Sequence, residues 1–244
     1  MKKWNIPALL GGAFRISVFP VLIWQMIRGN IGYVYLCVLT LLLMEIPRWA
    51  EERLNVTIPP VMGSLVLIFI FASEILGEIG NCYLRYPGWD TLLHCLSGFL
   101  FASAGYILPD LADRQGSDTG KITRVILAIC FSLTAGVAWE FLEWGADWIF
   151  GLDMQKDTVV SSIHSLCLAR EQGNAGAFEH IVASVLILAD GTLGRISGYL
   201  DIGLHDTMGD LMADLAGAVV FVFLSGREIL AIRLVPNIDR TGER

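Results

Sequence analysis

The sequence predicts an all-α membrane protein, a bundle of six transmembrane helices with a small extracytoplasmic β-hairpin loop. Two observations predict this class. The 244 residues are 55% hydrophobic and only 17% charged, whereas soluble domains carry about 25% charged residues. Six apolar segments also approach the ~20 residues that a helix needs to cross a bilayer, provided that a few acidic residues are tolerated. We therefore expect a single polytopic membrane domain over residues 1–244.

Each predicted helix rests on one apolar segment. In chain order these segments are 6–26, 31–47, 60–80, 90–109, 122–150 and 205–225. The polar segment 151–204 between the last two is the predicted extracytoplasmic loop. Within it, two β-prone runs at 184–188 and 193–196 flank Asp190-Gly191, a dipeptide typical of tight hairpin turns. We expect a β-hairpin there.

The distribution of Lys and Arg predicts the orientation of the chain. Cytoplasmic loops of membrane proteins carry an excess of these residues. With both termini on one side, the six-helix arrangement has eleven Lys and Arg on that side. The opposite side has five, namely Arg28, Arg85, Lys156, Arg170 and Arg195. Both termini are therefore predicted to be cytoplasmic. The net charge of −7 argues against nucleic acid as a partner, because binding phosphates needs a concentrated basic surface.

Acidic residues recur at helical spacing in four of the predicted helices. The sets are Glu74 and Glu78; Asp90 with His94; Glu140, Glu143 and Asp147; and Asp206, Asp210 and Asp214. Each set lies on one face of its helix. At ~1.5 Å per residue, every member lies within roughly 15 Å of the outer membrane surface. Because charge inside a bilayer costs several kcal/mol, we expect these faces to turn toward one another.

This convergence favours a cation site, since few basic residues are placed to balance nine carboxylates. Oxygen-rich ligation with a single imidazole suits a divalent metal ion, namely Mg²⁺, Mn²⁺ or Ca²⁺, with Zn²⁺ as a further option. The predicted metal ligands are Asp90, His94, Glu140, Asp206, Asp210 and Asp214. Glu143 is the predicted general base. Asp90 and Asp206 are also residue types that cap helix N-termini, and capping does not exclude ligation.

Three sequence blocks carry these residues. They are Trp89-Asp90-Thr91-Leu92-Leu93-His94 with Ser97-Gly98; Trp139-Glu140-Phe141-Leu142-Glu143; and Asp206-Thr207-Met208-Gly209-Asp210 with Asp214 and Gly217. The blocks resemble the signature of VanZ-like membrane proteins, and more closely that of the YjdF-like branch. In the VanZ-like pattern the second block usually ends in Gln and the third in Asn, where this chain has Glu143 and Asp214. The resemblance implies a polytopic protein of the bacterial inner membrane without an established reaction.

Three functions fit these observations. The first is an outward-facing, metal-dependent hydrolase of a membrane lipid or lipid-linked substrate, in which the metal activates a bound water. The second is a cation- or proton-coupled transporter, because intramembrane acids commonly mark ion pathways. The third is a non-catalytic binding or sensor protein. The acids are confined to one half of the membrane and no internal repeat is visible, which favours a one-sided site over a transport path.

Small residues are expected where the helices approach closely. Glycine at a helix interface lets two backbones come nearer than any larger residue would allow. The predicted positions of close approach are Gly98, Gly105, Gly136, Gly209 and Gly217.

Overall fold

A computed structural model describes residues 6–112, 119–168, 175–227, 230 and 232–234. Within these residues, six helices are long and apolar enough to cross a membrane: Leu9–Arg28, Ile31–Leu54, Pro60–Ile79, Trp89–Ala112, Lys121–Phe150 and Leu204–Leu224. The predicted six-helix, all-α membrane class is confirmed. Both chain ends, together with Arg114 and Arg170 of the orientation count, lie outside the described residues.

The helices follow the predicted order, and two of the spans are composite. The elements are α1 (Ile6–Arg28), α2 (Ile31–Leu43), α3 (Ile46–Leu54), α4 (Pro60–Ile70), a π-helical segment (Phe71–Ile79), α5 (Cys82–Arg85), α6 (Trp89–Ala112), α7 (Lys121–Phe150) and α8 (Leu204–Leu224). The second span is interrupted between α2 and α3 and extends beyond the predicted end at residue 47. The third span changes hydrogen-bonding pattern after Ile70, and the N–H of Gly80 donates to the carbonyl of Ile75, five residues earlier.

Four short antiparallel strand pairs accompany the helices in the described part of the chain. They are β1 (Val56–Thr57) with β8 (Arg233–Leu234), β2 (Thr158–Val160) with β7 (Tyr199–Asp201), β3 (Ile163–Ser165) with β4 (Gly176–Phe178), and β5 (Ala183–Ile187) with β6 (Leu193–Ser197). The β5–β6 pair is the predicted hairpin. Its turn uses Gly191 at φ +83°, a conformation that glycine adopts without strain. The other three pairs were not predicted.

The chain groups into two compact units. The first unit comprises Met1–Gly136 and Asp210–Arg244, and the second comprises Val137–Gly209. In the first unit, α1 packs against α2 and α4, and α4 packs against α6. Apolar side chains from α4, α6, α7 and α8 form its largest core cluster, which includes Met62, Phe99, Ala102, Ala128, Ala218 and Phe221.

Glycines bring helices of the first unit into backbone contact. A Cβ at Gly98 would overlap the backbone carbonyl oxygen of Asp214, and a Cβ at Gly217 would overlap that of Cys95, so α6 and α8 need both glycines. A Cβ at Gly105 would lie 2.7 Å from the carbonyl oxygen of Leu127 on α7. The prediction of close approach is wrong for Gly209, since among the described residues no atom beyond its own helical turn lies within 4 Å of a Cβ built there.

Candidate metal centre

A histidine and two aspartates from α6 and α8 meet in the first unit. Asp90 and His94 are one helical turn apart on α6, and Asp210 comes from α8. The Nε2 atom of His94 lies 3.8 Å from Oδ1 of Asp90 and 3.7 Å from Oδ2 of Asp210. The candidate ligand atoms of these three residues all lie within 4.8 Å of one another. His94 and Asp210 are buried, with 7% and 4% of their surface exposed.

A third carboxylate lies on the other side of the imidazole. Oδ2 of Asp214 is 3.5 Å from Nδ1 of His94, a few tenths of an ångström beyond an ordinary hydrogen bond. The other oxygen of Asp214, Oδ1, accepts a 2.7 Å hydrogen bond from the hydroxyl of Ser97. Asp214 is only 1% exposed. Both Nδ1 of His94 and Oδ2 of Asp214 are buried without a hydrogen-bond partner.

The surrounding backbone fixes where the Asp214 carboxylate can lie. A Cβ at Gly136 of α7 would overlap Oδ2 of Asp214, so this glycine provides the space that the carboxylate occupies. Oγ of Ser97 also lies 2.8 Å from the carbonyl oxygen of His94. The serine therefore links the backbone of α6 to the Asp214 side chain. Its hydroxyl has acceptors already, which does not suit a role as a free nucleophile.

The spacing of the donor atoms fits a divalent cation after a small contraction. Two donors that each lie about 2.0–2.2 Å from one ion are roughly 2.8–3.6 Å apart at octahedral to tetrahedral angles. The observed separations from Nε2 of His94 to the two carboxylates are 3.7 and 3.8 Å. A movement of a few tenths of an ångström would bring Nε2 to ligating distance from each carboxylate. The two carboxylate oxygens lie within 4.8 Å of each other and would have to approach by up to roughly 1 Å to share one ion. The donor set, one imidazole and two carboxylates, is suited to Mn²⁺ or Zn²⁺ and is compatible with Mg²⁺ or Ca²⁺.

In the second unit, Glu140 belongs to a separate polar group. The side-chain amide of Gln155 donates from Nε2 to Oε2 of Glu140 at 3.2 Å and to the hydroxyl of Thr207 at 2.6 Å. Glu140 is 4% exposed, and its Oε1 is buried without a hydrogen-bond partner. A buried carboxylate oxygen without a hydrogen-bond partner is energetically unfavourable, so a cation bound there would stabilise it.

Two further carboxylates of the second unit hold the segment that carries Gln155. Asp147 accepts hydrogen bonds from the backbone N–H groups of Met154 and Gln155, at 2.6 and 2.9 Å. Asp206, in the first turn of α8, accepts one from the backbone N–H of Lys156 at 2.9 Å. Residues 154–156 are thereby fastened to the adjoining ends of α7 and α8.

Glu143 is also buried in the second unit, with 8% of its surface exposed. Its Oε1 accepts a 2.8 Å hydrogen bond from the indole N–H of Trp139, one turn earlier on α7. Trp139 itself is 46% exposed. This contact orients the Glu143 carboxylate.

Acidic residues outside the spans respond to their neighbours in opposite ways. The backbone N–H of His205 donates to Asp201 at 2.8 Å, and this bond lowers the pKa of the Asp201 carboxyl. Partial desolvation, followed by repulsion from Asp153 and other nearby carboxylates, raises the pKa of Asp157. The surroundings thus stabilise the charged form of Asp201 and destabilise the charged form of Asp157.

The structure brings four of the predicted ligands together in the first unit, namely Asp90, His94, Asp210 and Asp214. The other two, Glu140 and Asp206, and the predicted base Glu143 belong to the second unit, where each has the hydrogen bonds described above. Sequence reasoning assigned no role to Ser97, Gln155 or Thr207. Ser97 and Thr207 lie inside the recognised sequence blocks, whereas Gln155 lies in a polar loop and has no sequence signal.

Comparison with known proteins gives one result. No curated protein and no solved structure matches the chain significantly. A family model described as "Predicted membrane protein (DUF2238)" matches residues 12–228, which include every residue of the cluster and all six spans except the first three residues of the first. The chain belongs to the DUF2238 family of predicted membrane proteins.

Proposed function

We propose that this membrane protein holds a divalent cation between Nε2 of His94 and the carboxylates of Asp90 and Asp210, and uses it for hydrolysis of a lipid or lipid-linked substrate. The observation that carries the cation site is the meeting of three ligand atoms within 4.8 Å in a buried setting. Imidazole and carboxylate are ordinary ligands of catalytic divalent metals.

Electrostatics supports a bound cation. Asp210 and Asp214 are 4% and 1% exposed, and both lie within 4 Å of the imidazole ring. Carboxylates crowded in a poorly solvated environment cannot all stay ionised without compensating positive charge. A divalent ion supplies two such charges. A proton on His94 would supply only one, and this is the simplest alternative occupant.

Within the proposal, Asp214 orients the histidine. Metal-bound histidines commonly donate their second ring N–H to a carboxylate, which fixes the tautomer and raises the basicity of the ligating nitrogen. Asp214 lies beside Nδ1 of His94, opposite the nitrogen that faces Asp90 and Asp210. We therefore revise the sequence-based role of Asp214 from metal ligand to orienting carboxylate. For Glu140 and Asp206, metal ligation stays a prediction from the sequence.

The proposed chemistry is metal-assisted hydrolysis. A divalent ion lowers the pKa of a bound water and polarises a phosphoryl or acyl oxygen. Glu143 stays the proposed general base, held in a buried position by Trp139. The hydroxyl of Ser97 is hydrogen bonded to Asp214, so a metal-activated water is the preferred nucleophile. An outward-facing site would admit a lipid-linked substrate from the outer leaflet.

The proposal also covers the membrane that holds the protein and the side that the cation site faces. Two of the three blocks that resemble VanZ-like and YjdF-like proteins supply Asp90, His94, Asp210 and Asp214, and the count of Lys and Arg favours cytoplasmic termini. We accordingly propose a bacterial inner-membrane protein whose cation site faces the extracytoplasmic side. A transporter or a sensor with a structural cation would use the same cluster, and function tests separate these possibilities.

Elemental analysis of the purified full chain tests the cation site. The expected result is about one equivalent of a divalent metal per chain, which falls several-fold in His94→Ala and in Asp210→Asn. His205→Ala is the matched control, since His205 is exposed and pairs with Asp201. Finding no divalent metal in a folded wild-type chain at saturating supply would contradict the proposal.

A second experiment tests the reaction. Purified protein in lipid vesicles is supplied with Mn²⁺ or Zn²⁺ and with a panel of lipid phosphates and lipid-linked glycans. Hydrolysis that is lost in Glu143→Gln, with metal still bound, supports the hydrolase. Uptake of labelled cation into the vesicles without hydrolysis would favour the transporter, and bound metal with neither activity would favour the sensor.

A further inference from the structure

The β5–β6 hairpin has one face that is apolar, exposed and free of acids. Because successive strand residues point to opposite faces, Val185, Ile187, Leu193 and Arg195 share one side. Ile187 lies directly opposite Leu193, and Val185 lies opposite Arg195. The three apolar side chains are 59%, 77% and 67% exposed, in the order Val185, Ile187, Leu193. We call these four residues the hairpin face.

The opposite side of the hairpin is better covered by its own chain. The hydroxyl of Ser184 donates to the carbonyl of Gly198 at 2.6 Å, and Ile196 across from it is only half-exposed. β5 also contacts β7, the strand that leads into α8. Leu186 on this side is still 54% exposed, whereas the apolar side chains of the hairpin face are 59–77% exposed, so the hairpin face is the more exposed of the two. An isolated two-stranded hairpin with such a face is marginal in water and needs a covering partner.

Short chain segments hold the hairpin close to two membrane spans. β6 ends at Ser197 and α8 begins at Leu204, seven residues later, a distance of at most about 25 Å even when fully extended. β7 lies within this segment and pairs with β2, which begins eight residues after α7 ends at Phe150. The hairpin is thus attached on one side through β7 and β2 to the ends of both spans.

The end of α7 has the composition of a membrane interface. Trp144, Trp148, Ile149 and Phe150 are each more than half exposed there. Tryptophan is enriched at the level of lipid headgroups, so this helix end marks the depth at which the chain leaves the bilayer. On the hairpin face, Arg195 supplies the charge that complements lipid phosphate, and its aliphatic stem can extend along an apolar surface.

We propose that the hairpin face rests on the lipid surface of the same membrane that the chain spans. Val185, Ile187 and Leu193 enter the interfacial layer, and Arg195 meets lipid phosphate. The acidic turn residue Asp190, which accepts a hydrogen bond from the N–H of Thr192, stays in water. This surface is independent of the proposed cation site, and it fixes the extramembrane segment at the bilayer surface.

Site-directed photocrosslinking tests the proposal. The full chain, with p-benzoylphenylalanine at one position, is reconstituted into vesicles of phosphatidylethanolamine and phosphatidylglycerol and irradiated, and lipid adducts are measured by mass spectrometry. Ile187 and Leu193 are the test positions. Leu186 is the matched control, because it is an adjacent apolar residue that is 54% exposed on the opposite side.

The expected result is about fivefold or more lipid adduct at Ile187 and Leu193 than at Leu186, since these side chains point to opposite sides of the hairpin. Three results would overturn the proposal. They are equal labelling at Leu186, covalent dimers of the chain in place of lipid adducts, and an absence of lipid adducts at both test positions. Covalent dimers would assign the hairpin face to a second copy of this chain.

Discussion

The imidazole of His94 lies between carboxylates on both sides, and Oδ2 of Asp214 is 3.5 Å from its Nδ1 atom. Asp90 and Asp210 lie on the Nε2 side. This arrangement favours the tautomer with its proton on Nδ1, because that proton can point at Asp214. The Nε2 lone pair is then directed toward the other two carboxylates, where a cation would bind.

Asp214→Asn should weaken divalent metal binding about 10- to 100-fold, the usual effect of removing a carboxylate that supports a ligating histidine. The amide keeps the shape of the side chain and removes its charge. Equilibrium dialysis of the purified chain against Mn²⁺ or Zn²⁺ measures the change. Asp190→Asn, in an exposed turn, is the control and should bind metal as the wild type does.

The apo form provides a second measurement for the same variant. Removing one buried negative charge from a crowded group should leave the thermal stability of the metal-free chain unchanged or higher. Weaker metal binding together with an intact apo fold would support an orienting role. Wild-type metal affinity in Asp214→Asn would show that the carboxylate does not act on His94.

Gly136→Ala should both destabilise the fold and reduce bound metal. The added methyl would overlap Oδ2 of Asp214, and overpacking of this kind costs about 1–3 kcal/mol. Gly209→Ala is the matched control, because among the described residues no atom beyond its own helical turn lies within 4 Å of a Cβ there, and alanine favours helix. Thermal unfolding and metal content of both variants check this prediction. Equal unfolding temperatures and equal metal contents in Gly136→Ala and Gly209→Ala would contradict the close contact at Gly136.

Much of the fold follows from the sequence, because apolar length alone specifies a membrane span. The spacing of Asp90 and His94 also placed both residues on one side of α6, as observed. The side of the imidazole on which Asp214 lies depends on the rotation of α8 about its axis, which the spacing of acids along one helix does not determine. Gly98 and Gly217 set that rotation through backbone contact.

Other features depend on contacts between distant parts of the chain. β1 and β2 pair with partners far away in sequence, and ten residues separate β3 from β4, so no tight-turn pattern reveals these three pairs. The side chain of Gln155 meets Glu140 and Thr207 only because Asp147 and Asp206 hold its loop. The hairpin was predictable because its strands are adjacent and its turn residues are specific.

The ion pair between Asp110 and Arg124 should contribute to stability more than the one between Arg48 and Glu52. Two nitrogens of Arg124 donate to the two oxygens of Asp110, at 2.7 and 2.5 Å, with side chains 19% and 36% exposed. Arg124→Met should cost about 1–2 kcal/mol, between the values for buried and surface pairs. Chemical denaturation of the purified chain in mild detergent measures the change.

Arg48→Met serves as the control for that measurement. Its pair with Glu52 has side chains that are 76% and 64% exposed, and such i,i+4 pairs contribute about 0.3–0.5 kcal/mol. A larger loss of stability in Arg48→Met than in Arg124→Met would contradict the larger contribution expected of the Asp110–Arg124 pair.

Asp201 and Asp157 should change stability with pH in opposite directions. The pKa of Asp201 is lowered in the fold, so its stabilising effect is present above its unfolded pKa of about 3.9 and is lost as the pH falls through its folded pKa. Asp201→Asn should therefore be less stable than the wild type near neutral pH, with a difference that shrinks in acid. Thermal unfolding across this range measures it.

The pKa of Asp157 is raised, so its charge opposes folding near neutral pH. Asp157→Asn should be slightly more stable than the wild type at neutral pH. This advantage should disappear as the pH falls through the raised pKa, where the wild-type carboxyl becomes protonated. If Asp201→Asn and Asp157→Asn changed stability in the same direction at neutral pH, the opposite effects inferred for the two carboxylates would be contradicted.

The proposed cation site is tested most directly by a structure of the full chain grown or frozen with Mn²⁺, with the ion located by its anomalous scattering. We expect a peak about 2.0–2.4 Å from Nε2 of His94 and from carboxylate oxygens of Asp90 and Asp210. Asp214 should lie within hydrogen-bond distance of Nδ1 and off the ion. A peak elsewhere, or none at saturating Mn²⁺ with His94 ion-paired to the three aspartates, would contradict it.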